Sequence, residues 1–115
     1  MNQDIHVAPV SPVIGAEVSG VDLSRPLEPE VFEILHAALM THLVLFFRDQ
    51  ELTFPEHKAF GRRFGELHIH PAAPKDPEHP EILLVRTDAN ASFATGDSWH
   101  SDVSCDVEPP MGSIL

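Results

Sequence analysis

A change of hydrophobic period near residue 42 constrains this chain more than any other feature. Val31, Ile34, Leu35, Ala38 and Leu39 recur at i, i+3, i+4, i+7 and i+8, which lines one face of an α-helix from about Pro29 to His42. Glu28, Glu30 and Glu33 gather toward its N-terminal end, where carboxylates meet the positive end of the helix dipole. Leu43-Val44-Leu45-Phe46-Phe47 then runs without a polar residue, the pattern of a short, fully buried strand. A helix that feeds directly into a strand calls for a mixed architecture in which helix and sheet share a core.

The remaining elements follow from local signals. Val, Ile and Gly mixed with short polar residues from Ile5 to Leu23 read as strands joined by turns, with Ile14 to Gly20 the clearest strand. Thr53-Phe54-Pro55-Glu56 has the spacing of a capping box, so a second helix is expected to start near Thr53. Proline is tolerated in that first turn, Phe60 and Phe64 share a face, and Gly65 is a natural stop. Leu67 to His70 and Ile82 to Val85 read as strands. Pro71, Pro74, Pro77 and Pro80 between them cannot donate to a ladder and mark a loop. Residues 87–98 form a second polar loop, and Ser98 to Val103 and Met111 to Leu115 are the last expected strands. The fold class is therefore α+β, or mostly β with flanking helices.

Composition narrows the function. The 115 residues amount to one domain at most, 43% hydrophobic and 22% charged, which is ordinary for a soluble globular protein. With 18 acidic against 7 basic residues the formal charge is −11, which disfavours nucleic acid and anionic membrane as partners. No run approaches the ~18 apolar residues of a membrane span. Met1 to His6 lacks the basic cluster and apolar run of a secretory signal, and the single Cys105 supports no disulfide framework. A cytoplasmic location is expected, and self-association into a homo-oligomer is compatible with the sequence. Met111 to Leu115 is apolar with no polar tail, so the chain reads as cut short at that end.

The sharpest chemical signal is Trp99-His100-Ser101-Asp102. In a strand, His100 and Asp102 would point to one face and Ser101 to the other. An imidazole and a carboxylate on one face are two arms of the facial triad that holds non-haem iron(II), the third arm being a histidine from a distant strand. The tripeptide alone fits a solvent-facing strand with two polar residues better than it fits a metal site.

Several longer blocks give it context. Ile14-Gly15-Ala16, Ser19-Gly20-Val21-Asp22-Leu23 and Phe47-Arg48-Asp49-Gln50 occur in order, followed by Arg63-Phe64-Gly65-Glu66-Leu67-His68-Ile69-His70-Pro71. Trp99 to Ser104, then Pro109-Pro110 and Gly112 to Leu115, complete the set. Together they resemble the amino-terminal part of the taurine dioxygenase (TauD/TfdA) family, the iron(II)- and 2-oxoglutarate-dependent dioxygenases. The resemblance implies that residues 1–115 are the amino-terminal part of a single dioxygenase domain with a double-stranded β-helix (jelly-roll) core. It implies iron(II) held by His100, Asp102 and a later histidine, with 2-oxoglutarate as co-substrate and a later arginine pairing its carboxylate. O2 and a small anionic molecule would be the other reactants, and succinate and CO2 the products.

By position His70 matches the histidine that contacts the sulfonate in taurine enzymes; a loop-edge histidine after a strand is the plainer alternative. Val103 keeps the family pattern at the substrate pocket. Three positions depart from the taurine pattern: Ala73 stands at an aromatic position, Gly96 at an asparagine position and Cys105 at a phenylalanine position. Each removes bulk or a hydrogen-bonding group. Taurine is therefore disfavoured against a larger or less polar sulfonate, sulfate ester or carboxylate, as in alkylsulfatase-type or aryloxyalkanoate-type members. A non-catalytic jelly-roll module holding a metal such as zinc, or an inactive fragment, is the rival from another class. Cys105 is expected to be a small half-buried residue, and Arg62 and Arg63 a solvated helix end.

Overall fold

The computed structural model describes residues 4–94 and 96–115. The chain divides into two compact units, Met1–Phe64 and Gly65–Leu115.

The first unit holds all the named elements: β1 (His6–Pro9), β2 (Ala16–Ser19), α1 (Pro29–His42), β3 (Leu45–Phe46) and α2 (Phe54–Arg62). The sheet order is β1-β2-β3. β1 pairs antiparallel with β2, Val7 opposite Val18, while β3 lies parallel to β2, Ala16 opposite Leu45. Ala16 and Val18 are buried and Glu17 and Ser19 exposed, the two-residue alternation of a sheet with one face covered. Gly20 ends β2 at φ +82°, and a Cβ there would collide with the Asp4 carbonyl, so only glycine fits.

α1 occupies the span its spacing calls for, with Pro29 in the first turn. Leu35 and Ala38 are buried and Val31 and Leu39 partly so, whereas Ile34 is 46% exposed; the packed stripe is narrower than the sequence pattern. Leu43 closes the helix in the left-handed region at φ +67°, its N–H donating to the Leu39 carbonyl. The apolar run after it gives only the two-residue β3, partly exposed instead of fully buried, because this strand pairs on one side only. α2 begins with the expected capping box: Thr53 Oγ1 accepts from the Glu56 N–H, and the Glu56 carboxylate accepts from the Thr53 N–H at 2.8 Å. Phe60 is buried, with Phe47 and Phe64 edge-on to it at 5.9 and 5.4 Å between centroids.

Val18, Val21, Leu23, Leu35 and Phe60 form the core. Val21 and Leu23 lie outside any strand, and Gln50 takes the place of a ladder partner. Its Oε1 accepts from the Leu23 N–H at 2.9 Å and its Nε2 donates to the Val21 carbonyl at 3.1 Å. Arg63 departs from the solvated helix end expected of it. Its guanidinium donates to the Leu27 carbonyl at 2.6 Å and lies 4.7 Å from the Phe32 ring centre.

The second unit is irregular. The strands expected at 67–70, 82–85, 98–103 and 111–115 are not formed; among the described residues one bridge outside the sheet pairs Lys75 with Leu83. The flanking helices are thus present, while the sheet is smaller than expected. A strand is stabilised by its partner and by a layer to bury its apolar face. Here Ile69, Val85 and Met111 are at least half exposed. The loop of four prolines closes instead on an Asx turn, Asp76 Oδ1 accepting from the Glu78 and His79 amides. No helix among the described residues is long and apolar enough to cross a membrane.

Candidate metal centre

The candidate site lies in the second unit, on the bend between Gly96 and Asp106. His100 Nδ1 is 2.6 Å from the Ser98 carbonyl oxygen. A carbonyl only accepts, so Nδ1 carries a proton and Nε2 is turned outward. Nε2 stands 3.2 Å from Asp102 Oδ1, with the two side chains 50% and 65% exposed. A bare Nε2 lone pair and a carboxylate at that distance repel; a proton or a metal cation between them turns the contact attractive. Two adjacent ligands of an octahedral cation, each about 2.1 Å from it, lie about 3.0 Å apart. Both the spacing and the donor types therefore fit two ligands of a divalent metal. A ring N–H tied to a carbonyl is also the usual support of a metal-ligating histidine. Among the described residues no third His, Cys, Asp or Glu joins the pair in a group able to hold a metal ion.

His100 and Asp102 meet for a different reason from the shared strand face expected of them. The backbone turns sharply after Asp102, with Val103 at φ +49°, a strained conformation for a β-branched residue. Asp106 N–H donates to the Val103 carbonyl at 3.2 Å, and the Ser101 and Ser104 hydroxyls hydrogen-bond across the turn. Val103 is partly buried; Cys105 is exposed instead of half-buried.

Gly96 sits against the candidate ligand itself. Its φ is +81°, and a Cβ there would lie 3.3 Å from His100 Cε1. Gly96, Asp97, Ser98, Trp99 and His100 line an open cleft of about 380 Å³. A larger depression of about 750 Å³ in the first unit is lined by Asp22, Asp49 and Glu51 among others, a poor environment for an anion. Ser24 hydrogen bonds, from its hydroxyl first and its N–H second, hold the Asp22 carboxyl below the usual range, and Arg25 adds to this.

His70 folds back on its own loop. The Ala72 and Ala73 amides donate to its Nδ1 at 3.1 and 2.9 Å, so the proton sits on Nε2, which is left as a single outward donor. Ala73, expected only to leave room, supplies one of these bonds. His68 turns to Asp106, its Nε2 3.1 Å from Oδ2. The sequence gives no sign of that pair, which joins residues 38 apart. The Ser98 carbonyl, two residues before His100, is a backbone group that any residue type would present.

A family model described as "Taurine catabolism dioxygenase TauD, TfdA family" matches residues 6–115. An alpha-ketoglutarate-dependent sulfate ester dioxygenase of Pseudomonas putida is 37% identical over 113 residues, covering 97% of this chain and 36% of that protein. An alkylsulfatase of Acinetobacter baylyi is 34% identical over 114 residues, covering 98% of this chain and 35% of that protein. The crystal structure of a taurine dioxygenase from Burkholderia xenovorans matches with a TM-score of 0.76 and 40% identity, over 92% of this chain and 37% of that one. The chain thus spans a little over a third of the length of these relatives. The blocks noted in the sequence fall within the matched span, and the chain belongs to the TauD/TfdA family of dioxygenases.

Proposed function

We propose that residues 1–115 are the amino-terminal part of one jelly-roll domain of an iron(II)- and 2-oxoglutarate-dependent dioxygenase. Its substrate would be a small anionic organic molecule, a sulfate ester, sulfonate or carboxylate. The observation that carries this reading is the 3.2 Å approach of His100 Nε2 to Asp102 Oδ1, with Nδ1 tied to Ser98. His100 and Asp102 would hold the metal, and a later histidine would complete the set. Bound iron(II) and 2-oxoglutarate supply oxygen activation, coupled to decarboxylation to succinate and CO2.

This chain's own residues do the positioning. The Ser98 carbonyl keeps the His100 ring in one tautomer and one orientation. His70 offers a neutral Nε2–H donor, suited to an oxygen of an anionic head group. Gly96 leaves open the space beside His100, and Ala73 and Cys105 add no bulk. A sulfate ester dioxygenase and an alkylsulfatase among the matched relatives support a sulfate ester as a candidate substrate. Anaerobic iron(II) titration of the full-length protein, followed by succinate release with a sulfate ester, tests the proposal. Metal binding without 2-oxoglutarate turnover would favour a non-catalytic metal module instead.

A further inference from the structure

The turn that carries Asp102 is short, exposed and strained, so something outside it must hold it. Val103, directly after Asp102, sits at φ +49°, and a β-branched residue keeps such a conformation only where its surroundings over-determine it. The bonds within the turn, Ser101 to Ser104 and Asp106 N–H to the Val103 carbonyl, are local and open to water. A long-range tie among the described residues is His68, whose Nε2 lies 3.1 Å from Asp106 Oδ2 across 38 residues. The other carboxylate oxygen, Oδ1, accepts from the Val107 N–H at 3.1 Å, so both oxygens are engaged and the carboxylate plane is set. The side chains of His68 and Asp106 are 31% and 45% exposed.

We propose that the His68–Asp106 pair is a strap that keeps Asp102 against His100, making two residues outside the ligand set governors of metal affinity. An ion pair this exposed adds little to overall stability. Its effect is on register: with the strap cut, Val103 is free to relax to negative φ, and Asp102, one residue before it, swings away from His100. His68 and Asp106 are thus positioning residues. The inference rests on the reading of His100 and Asp102 as metal ligands.

The test is anaerobic titration of the full-length protein with iron(II) alone, with no co-substrate present. His68→Ala and Asp106→Ala are each expected to weaken iron(II) binding about tenfold, as supporting residues of metal sites do. The double variant should be no weaker than either single one, because each change cuts the same strap. Asp106→Asn and His68→Gln keep a hydrogen bond at similar reach and should recover most of the affinity. Recovery in those variants also separates the strap from a general folding defect; equal weakness in all four overturns it. Affinities within about twofold of wild type in both alanine variants, with binding lost in His100→Ala, overturn the strap and leave the metal reading standing. Unchanged binding in His100→Ala removes the metal reading, and the strap with it.

Discussion

His100 is anchored by the residue two before it: its Nδ1 lies 2.6 Å from the Ser98 carbonyl oxygen, and its Nε2 is thereby aimed at Asp102. In the full-length protein, His100→Ala or Asp102→Ala should abolish iron(II) binding and 2-oxoglutarate-dependent succinate release. Both side chains are half exposed or more, so the fold should survive, with circular dichroism and melting close to wild type. Wild-type turnover in either variant would sink the iron assignment.

Gly96→Ala should be damaging out of proportion to one methyl group. The positive φ costs a non-glycine residue about 1 kcal/mol, and the new Cβ would press on His100 Cε1 from 3.3 Å. We expect a small loss of melting temperature together with weaker iron(II) binding. An unchanged titration would show that the ring has room to give way.

Taurine should be a poor substrate beside longer alkyl sulfonates and sulfate esters. Ala73, Gly96 and Cys105 supply neither bulk nor side-chain hydrogen bonds to a small polar zwitterion. A panel of these compounds scored by succinate formation decides the matter, and a clear preference for taurine would refute this view of the pocket.

Stability should respond most sharply at two polar residues of the first unit. Gln50→Ala strips partners from the Leu23 N–H and the Val21 carbonyl beside the core, an expected loss of about 1–3 kcal/mol. Thr53→Ala removes one half of the capping box and should cost about 0.5–2 kcal/mol. Denaturant melts of the full-length protein measure both, and a neutral Gln50→Ala would mean that water replaces the carboxamide.

Residues 1–115 expressed alone should show helical circular dichroism from α1 and α2 without a sharp melt. Val13, Phe93 and Trp99 are 75%, 73% and 105% exposed, an aggregation liability in a chain this short. Weak iron(II) binding and no dioxygenase activity are expected. A cooperative melt with tight iron(II) binding would overturn this expectation and favour the metal module.

What could be read from the sequence was what local spacing encodes. The stripe from Val31 to Leu39 and the Thr53–Glu56 box specify their helices within a few residues, and both are found where expected. The apolar runs after Gly65 share the composition of strands, yet a strand depends on what lies beside it, and composition carries no partner. His100 and Asp102 do approach each other, but through a bend at Val103 and not through the strand face expected of them. Arg63 over Phe32 and His68 on Asp106 join residues 31 and 38 positions apart, a separation at which no spacing rule applies.

The closure of the first unit bears on the order in which the chain matures. Each strand of the sheet finds its partner by Phe46, and the last side chain packed on the core is Phe64. Synthesis on the ribosome proceeds from this end at about 5–20 residues per second. All residues of the helices, sheet and core have therefore been made several seconds before His100 and Asp102 have both left the exit tunnel. If His100 and Asp102 hold the metal, a pair made that late spends little time as loose donors open to the wrong cation.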